Sequence, residues 1–290
     1  MKHPSKVEQT SMKYFKLITL FLLFVFASIP AFSQEKEQEE TDVIEDFEGE
    51  EALAQAAQNP VGDLISVPLQ NNTNFGFGPY DRTQNVLNIQ PVVPIGLGSD
   101  WNLITRTIFP VTTQPDFFSE SGSTTGLGDV NFTAFVSPAK PGKFIWGAGP
   151  AIILPTATDE TLGSGKWSAG PSVVGLTIQG PWVAGLLVSQ VWSFAGQSDR
   201  GDVNFFLAQY FVNYNMDHGW YLVSAPIITS NWEASSGNQW IVPFGAGAGK
   251  IFRIGKQPIN FNTQAFYNAV KPDFGPDWQW RVQLQFMFPK

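Results

Sequence analysis

The chain has no cysteine and only two histidines, His3 and His218. The first absence excludes a disulfide scaffold, a thiolate metal site and a lipoprotein anchor, and suits an oxidising envelope. The second argues against a histidine-based zinc site or relay, because His3 falls in an export signal and leaves a single imidazole. Charge is sparse as well. Residues 61–290 carry 14 acidic and 12 basic side chains, a net of −2, which is no basic nucleic-acid surface. The overall net charge of −8 belongs to residues 34–51, where ten acidic groups face one lysine, Lys36. From residue 61 onward no run reaches the ~20 apolar residues of a membrane helix.

The N-terminus reads as an export signal over residues 1–33. Lys13 and Lys16 precede an apolar core from Leu17 to Phe26, broken only by Thr19. Ala31-Phe32-Ser33 places small residues for cleavage before Gln34, and Met12 is an alternative start. Residues 34–60 form an acidic tail and a short helix-prone run, Glu50 to Gln58, ending at Asn59-Pro60. The primary placement of this run is a periplasmic leader; the second is a plug for a barrel.

What remains is strand-like. From Trp278 to Phe288, Trp278, Trp280, Val282, Leu284, Phe286 and Phe288 share one face, and Gln279, Arg281, Gln283 and Gln285 share the other. A strand repeats every two residues, so this one is apolar outside and wet inside. Twelve such stretches follow from residue 61: about 64–75, 83–96, 100–110, 127–137, 143–155, 167–178, 181–194, 202–215, 219–231, 238–253, 257–270 and 278–288. Each is long enough to cross a bilayer as a tilted strand of ~9–11 residues. Alternate connections are short (97–99, 138–142, 179–180, 216–218, 254–256) and long (76–82, 111–126, 156–166, 195–201, 232–237, 271–277). Outer-membrane barrels have this asymmetry, with short periplasmic turns and longer external loops. All ten tryptophans fall near strand ends, as interfacial girdles require. The sequence therefore predicts an all-β transmembrane antiparallel barrel of about twelve strands, exported to the cell outer membrane. Its partners would be outer-membrane lipid, periplasmic chaperones and the barrel-assembly machinery. Against this stand Pro68, Pro91, Pro94, Pro150, Pro171, Pro226 and Pro243 inside the strands, since proline cannot donate to a ladder.

Several segments carry a family resemblance. These are Ala54 to Asn72 (AQAAQNPVGDLISVPLQNN), Asn85 to Leu97 (NVLNIQPVVPIGL), Trp101 to Val111 (WNLITRTIFPV) and Gly126-Leu127-Gly128-Asp129. Gly149 to Thr158 (GPAIILPTAT), Leu162 to Trp167 (LGSGKW), Trp192 to Gly196 (WSFAG) and Phe288-Pro289-Lys290 complete the set. Across residues 53–290 the chain resembles a family of bacterial outer-membrane proteins related to the meta-pathway phenol-degradation barrels, often labelled transporter or neuromedin U. The resemblance implies twelve strands and, by association, passage of small compounds, aromatic or hydrophobic ones among them. It carries over no catalytic or binding residue. The chain departs from the usual assembly signal in having two residues after Phe288 and no glycine at the usual offset before it.

Among strand interiors, only Arg106 and Arg281 are charged well away from an end. Arg106 is in phase with Asn102, and Arg281 with Gln279, Gln283 and Gln285. Facing lipid, an arginine near the midplane would cost ~2–4 kcal/mol, so both should point inward. Asn260, Asn262, Gln264 and Asn268 add polar lining, with Phe266 in the same register. Two roles are open for the arginines: attracting anions or polarisable rings, or bonding structurally to lumen amides or the leader.

No catalytic, cofactor or metal site is expected. Gly163-Ser164-Gly165-Lys166 lacks the earlier glycine, the following Ser/Thr and the helix of a phosphate loop. Gly126-Leu127-Gly128-Asp129 fits no EF-hand and reads as a loop-to-strand turn. The leading function is a passive channel or transporter of small molecules, its cargo unspecified. The alternatives are a closed structural or adhesion barrel and, less favoured, a barrel-embedded lipid hydrolase. The hydrolase would need His218, which falls in a predicted periplasmic turn, beside a serine.

Overall fold

The structure is a computed structural model and describes residues 52–289. The export signal and the acidic stretch 34–51 lie outside the described residues. Fifteen strands form one sheet: β1 (Ile65–Phe77), β2 (Arg82–Ile89), β3 (Val92–Leu97), β4 (Trp101–Pro115), β5 (Ser123–Leu127), β6 (Val130–Pro138), β7 (Phe144–Leu154) and β8 (Lys166–Gln179). There follow β9 (Trp182–Gly196), β10 (Asn204–Asn215), β11 (Trp220–Ser224), β12 (Ile227–Asn231), β13 (Trp240–Ile254), β14 (Gln257–Val270) and β15 (Trp278–Phe288).

Three pairs, β2/β3, β5/β6 and β11/β12, are single staves interrupted once, so the wall has twelve antiparallel staves. The sheet meets itself through β1 and β15, paired from Ile65↔Phe288 to Phe75↔Trp278. Closure has a physical motive: an unpaired edge in hydrocarbon would leave a row of N–H and C=O groups without water.

The prolines mark where the ladder is interrupted. Pro91 separates β2 from β3, and Pro226 separates β11 from β12. Pro68 lies opposite the first break, where its carbonyl accepts from Gln90 N at 2.9 Å. Pro94 lies past Ser66↔Val92, the last pairing of β3 with β1. Pro150 and Pro171 face one another, at levels where β7 loses β6 and β8 loses β9. Pro243 sits at a register shift against β14. Each missing N–H thus coincides with a place where the wall is already irregular, which is how a closed barrel accommodates seven prolines.

Five connections, 98–100, 139–143, 180–181, 216–219 and 255–256, are five residues or fewer. Four of them turn through Gly98, Gly180, Gly219 and Gly255, all with φ between 54° and 76°, as tight hairpins demand. The opposite end carries the longer loops, with two departures from expectation: the 111–126 loop shrinks to 116–122, because residues 111–115 and 123–127 pair as strand, and the first loop shrinks as well. The first, 78–81, has only four residues, because β1 and β2 pair out to Phe77↔Arg82.

The outer surface is the lipid-facing one. Val173, Leu186, Leu222 and Phe244 are exposed in mid-wall positions. Nine of the ten tryptophans are 38–51% exposed, Trp101, Trp146, Trp182 and Trp220 near the short turns and the others near the long loops. Trp240 packs against Phe206 and Trp232 with centroids 5.9 and 5.2 Å away. An apolar band between two aromatic rings on a closed sheet is the exterior of an outer-membrane barrel.

Inside, the short-turn end is apolar. Ile104, Phe135, Ile145, Val174, Leu176, Val183, Leu187, Phe211, Ile251 and Met287 form one buried cluster. Residues 52–58 form a helix, α1, whose Leu53 and Ala54 belong to that cluster. Of the two placements the sequence leaves for this run, the structure has α1 within the barrel. The run is alanine-rich, which favours helix, and Pro60 disfavours helical backbone at Asn59. Seven residues are too few for an isolated helix, so the barrel wall supplies its stability. Val61 continues the contact: a Cβ added at Gly147 would meet Val61 Cγ1 at 2.9 Å, so that glycine makes the room.

Candidate lumen site

The predicted inward residues share one register. Arg281, Gln285, Asn260, Asn262, Gln264 and Asn268 are all buried, and Gln279 and Gln283 alternate in phase with Arg281. Asn102 lies in phase with buried Ile104 and pairs with buried Ser137. Phe266, expected in the polar register, is there and fully buried.

The two arginines have different surroundings. Arg281 is bonded on every side: Nε donates to Asn72 Oδ1 at 3.0 Å, Nη1 to Ala225 O at 2.7 Å and Nη2 to Gln279 Oε1 at 3.1 Å. Its guanidinium also lies 4.9 Å from the Phe266 ring centroid. The Ala225 carbonyl is available because Pro226 interrupts the stave there; Gln209 Nε2 donates to the same oxygen at 3.3 Å. Arg106 donates through Nη2 to Gln90 Oε1 and makes no other hydrogen bond among the described residues. Gln90 is the residue before Pro91, at the break between β2 and β3.

Amides connect the wall. Tyr221 Oη donates to Asn260 Oδ1 at 2.6 Å, and Asn260 Nδ2 donates to Gln285 Oε1 at 3.0 Å. Toward the long loops, Gln279 Nε2 donates to Asn74 Oδ1 at 2.9 Å, and Asn74 Nδ2 to Gln84 Oε1 at 2.7 Å. At the short-turn end Gln58 of α1 and Asn215 exchange amide hydrogen bonds of 2.8 and 3.2 Å. None of the 14 acidic residues of 61–290 lies in a strand. The inner wall is therefore amide and guanidinium on the β14–β15–β1 side and aliphatic on the β7–β9 side.

Beside α1 two adjoining cavities remain, about 180 and about 110 Å³. Gln70, Gln209, Phe211 and Gln283 line both. Arg106 lines the larger, Arg281 the smaller.

Sequence reasoning missed Gln70, Asn72, Asn74, Gln90 and Tyr221. The first three were hidden because β1 is polar on both faces: outward Asn71 and Asn85 donate to each other, both at 2.9 Å, so no alternation shows. Tyr221 could have been found from its phase with Val223. The Gly126–Asp129 and Leu162–Trp167 segments prove to be two halves of one lock. Asp129 Oδ2 accepts from Ser164 N and Oγ at 2.7 and 2.8 Å, and Oδ1 from Ala157 N at 3.2 Å. Arg200 Nη2 donates to Glu160 O and Gly163 O at 2.8 and 2.5 Å, and Lys166 meets Asp202 at 3.3 Å. In the same loop Thr161 holds the Asp159 carboxyl below its ordinary pKa, first through its backbone N–H and then through its hydroxyl. His218 lies in the 217–219 turn at the short-turn end with φ 59°.

No known protein family and no curated protein matches the chain. Solved structures do match its fold. An outer membrane channel from Pseudomonas putida F1 aligns with TM-score 0.62 at 18% identity, covering 79% of this chain and 97% of its own. The NanC porin aligns with TM-score 0.51 at 9% identity, covering 78% and 100%. Outer membrane phospholipase A from Escherichia coli aligns with TM-score 0.41 at 14% identity, covering 82% and 98%.

Proposed function

We propose that this barrel is a passive conduit across the outer membrane for small molecules, with aromatic or hydrophobic compounds as the cargo class. The observation that carries this reading is the lumen itself. It is not packed solid like a structural core; space remains beside α1, bordered on one side by amides and guanidiniums and on the other by aliphatic side chains. A wall with polar groups but no strand carboxylate favours anions or electron-rich rings over cations. The channel and porin folds above support the architecture and leave the cargo to chemistry. Single-channel recording on the purified full chain in planar bilayers tests the proposal. The expected result is discrete conductance with anion preference, lost in the double variant Arg106→Gln/Arg281→Gln. A silent barrel would favour the closed structural reading. Unchanged selectivity in the double variant would remove the arginines from the function.

A further inference from the structure

We infer that Arg106 and Gln90 form a binding site for a small monocarboxylate with a compact apolar body, a short chain or a single ring. The inference rests on the conduit reading and adds to it a site and a ligand class. Guanidinium has five N–H donors in a planar fork matched to a carboxylate. Arg281 spends its fork on Asn72, Ala225 and Gln279, so it is a wall component. Arg106 is held at Nη2 by Gln90, whose backbone is fixed in turn by Pro68 O at 2.9 Å. That holds one arm of the fork and leaves its other donors without a hydrogen-bond partner among the described residues, on a side chain that lines the larger cavity.

The cavity has two characters. Arg106, Gln90 and Gln285 offer charge and amide groups, whereas Leu64, Leu187 and Phe211 offer apolar surface. A phosphate or sugar acid would leave that apolar side unfilled, and a neutral hydrocarbon would leave the guanidinium without a partner, which is costly in a low-dielectric site. About 180 Å³ is also small beside the roughly 300–1,000 Å³ of sites for drug-sized ligands, so the body must be compact. The site stands at the break where Pro91 separates β2 from β3 and Gln90 precedes it.

The test is isothermal titration of the detergent-solubilised full chain with benzoate, and with benzamide as its neutral isostere. Benzoate should bind at least tenfold more tightly than benzamide. Arg106→Gln should remove that difference, Arg106→Lys should keep part of it, and Lys250→Gln, on the outer wall over Trp220, should leave it unchanged. Heat-modifiable migration in gels verifies that each variant is folded. Equal affinity for the two probes, or an Arg106→Gln variant that discriminates like the parent, overturns the site. The conduit reading fails separately: binding without conductance refutes passage alone, and conductance without discrimination refutes the site alone.

Discussion

Removing the side chain that holds α1 against the wall should open the lumen. Leu53 is 8% exposed and sits in the apolar cluster at the short-turn end. Truncation to alanine in a well-packed interior costs ~2–5 kcal/mol. The lower figure is taken here, because Leu53 stands in the first turn of a seven-residue helix, where the backbone can shift to close part of the gap. A loss of about 2 kcal/mol from the docked state shifts the docked-to-undocked ratio about 30-fold. The Gln58–Asn215 pair remains, so docking weakens without vanishing. The chain has no cysteine, so Ala54→Cys provides a single thiol at a position 3% exposed in the docked helix. Labelling by a water-soluble maleimide then reports undocking directly. Leu53→Ala in that background should accelerate labelling by about 30-fold, with more frequent conductance openings. If labelling stays as slow as in the parent, α1 is not held by this contact, and the reasoning fails.

Three further outcomes follow from other parts of the barrel. Arg281→Met strips three hydrogen bonds from Asn72, Ala225 and Gln279, and should destabilise the barrel by ~1.5–3 kcal/mol. A lowered temperature for loss of heat-modifiable migration checks this; an unchanged temperature contradicts it. Asp129→Ala leaves Ser164 N and Ala157 N without their acceptor, so limited proteolysis should nick residues 155–165 faster while the barrel stays intact. Cleavage at the parental rate would refute the lock. Asp159, its pKa depressed in the folded chain, contributes above the unfolded carboxyl's pKa and loses that contribution as pH falls through the lower folded value. The Thr161 amide resonance should accordingly move only below the ordinary aspartate value of about 3.9, and a midpoint at or above it would be inconsistent with the turn.

Much of the wall was readable because a strand's side-chain period is local: two residues decide which face a third occupies. That is why Trp278–Phe288, the twelve staves and the inward phase of Arg106, Arg281 and Asn260–Gln264 are visible in the letters. The seven prolines argued against the barrel because the gaps they fill depend on the register of neighbouring staves. The placement of α1 depends on Ile104, Phe135 and Leu187, far along the chain, and a seven-residue helix contains no signal for what receives it. The roles of the arginines were equally out of reach. Arg281 finds Asn72 only because the last stave closes on the first, and Ala225 only because Pro226 turns a carbonyl inward from across the lumen. Periodicity sets the side on which a residue lies; closure of the cylinder decides what meets it there, because those partners come from segments far apart in the chain.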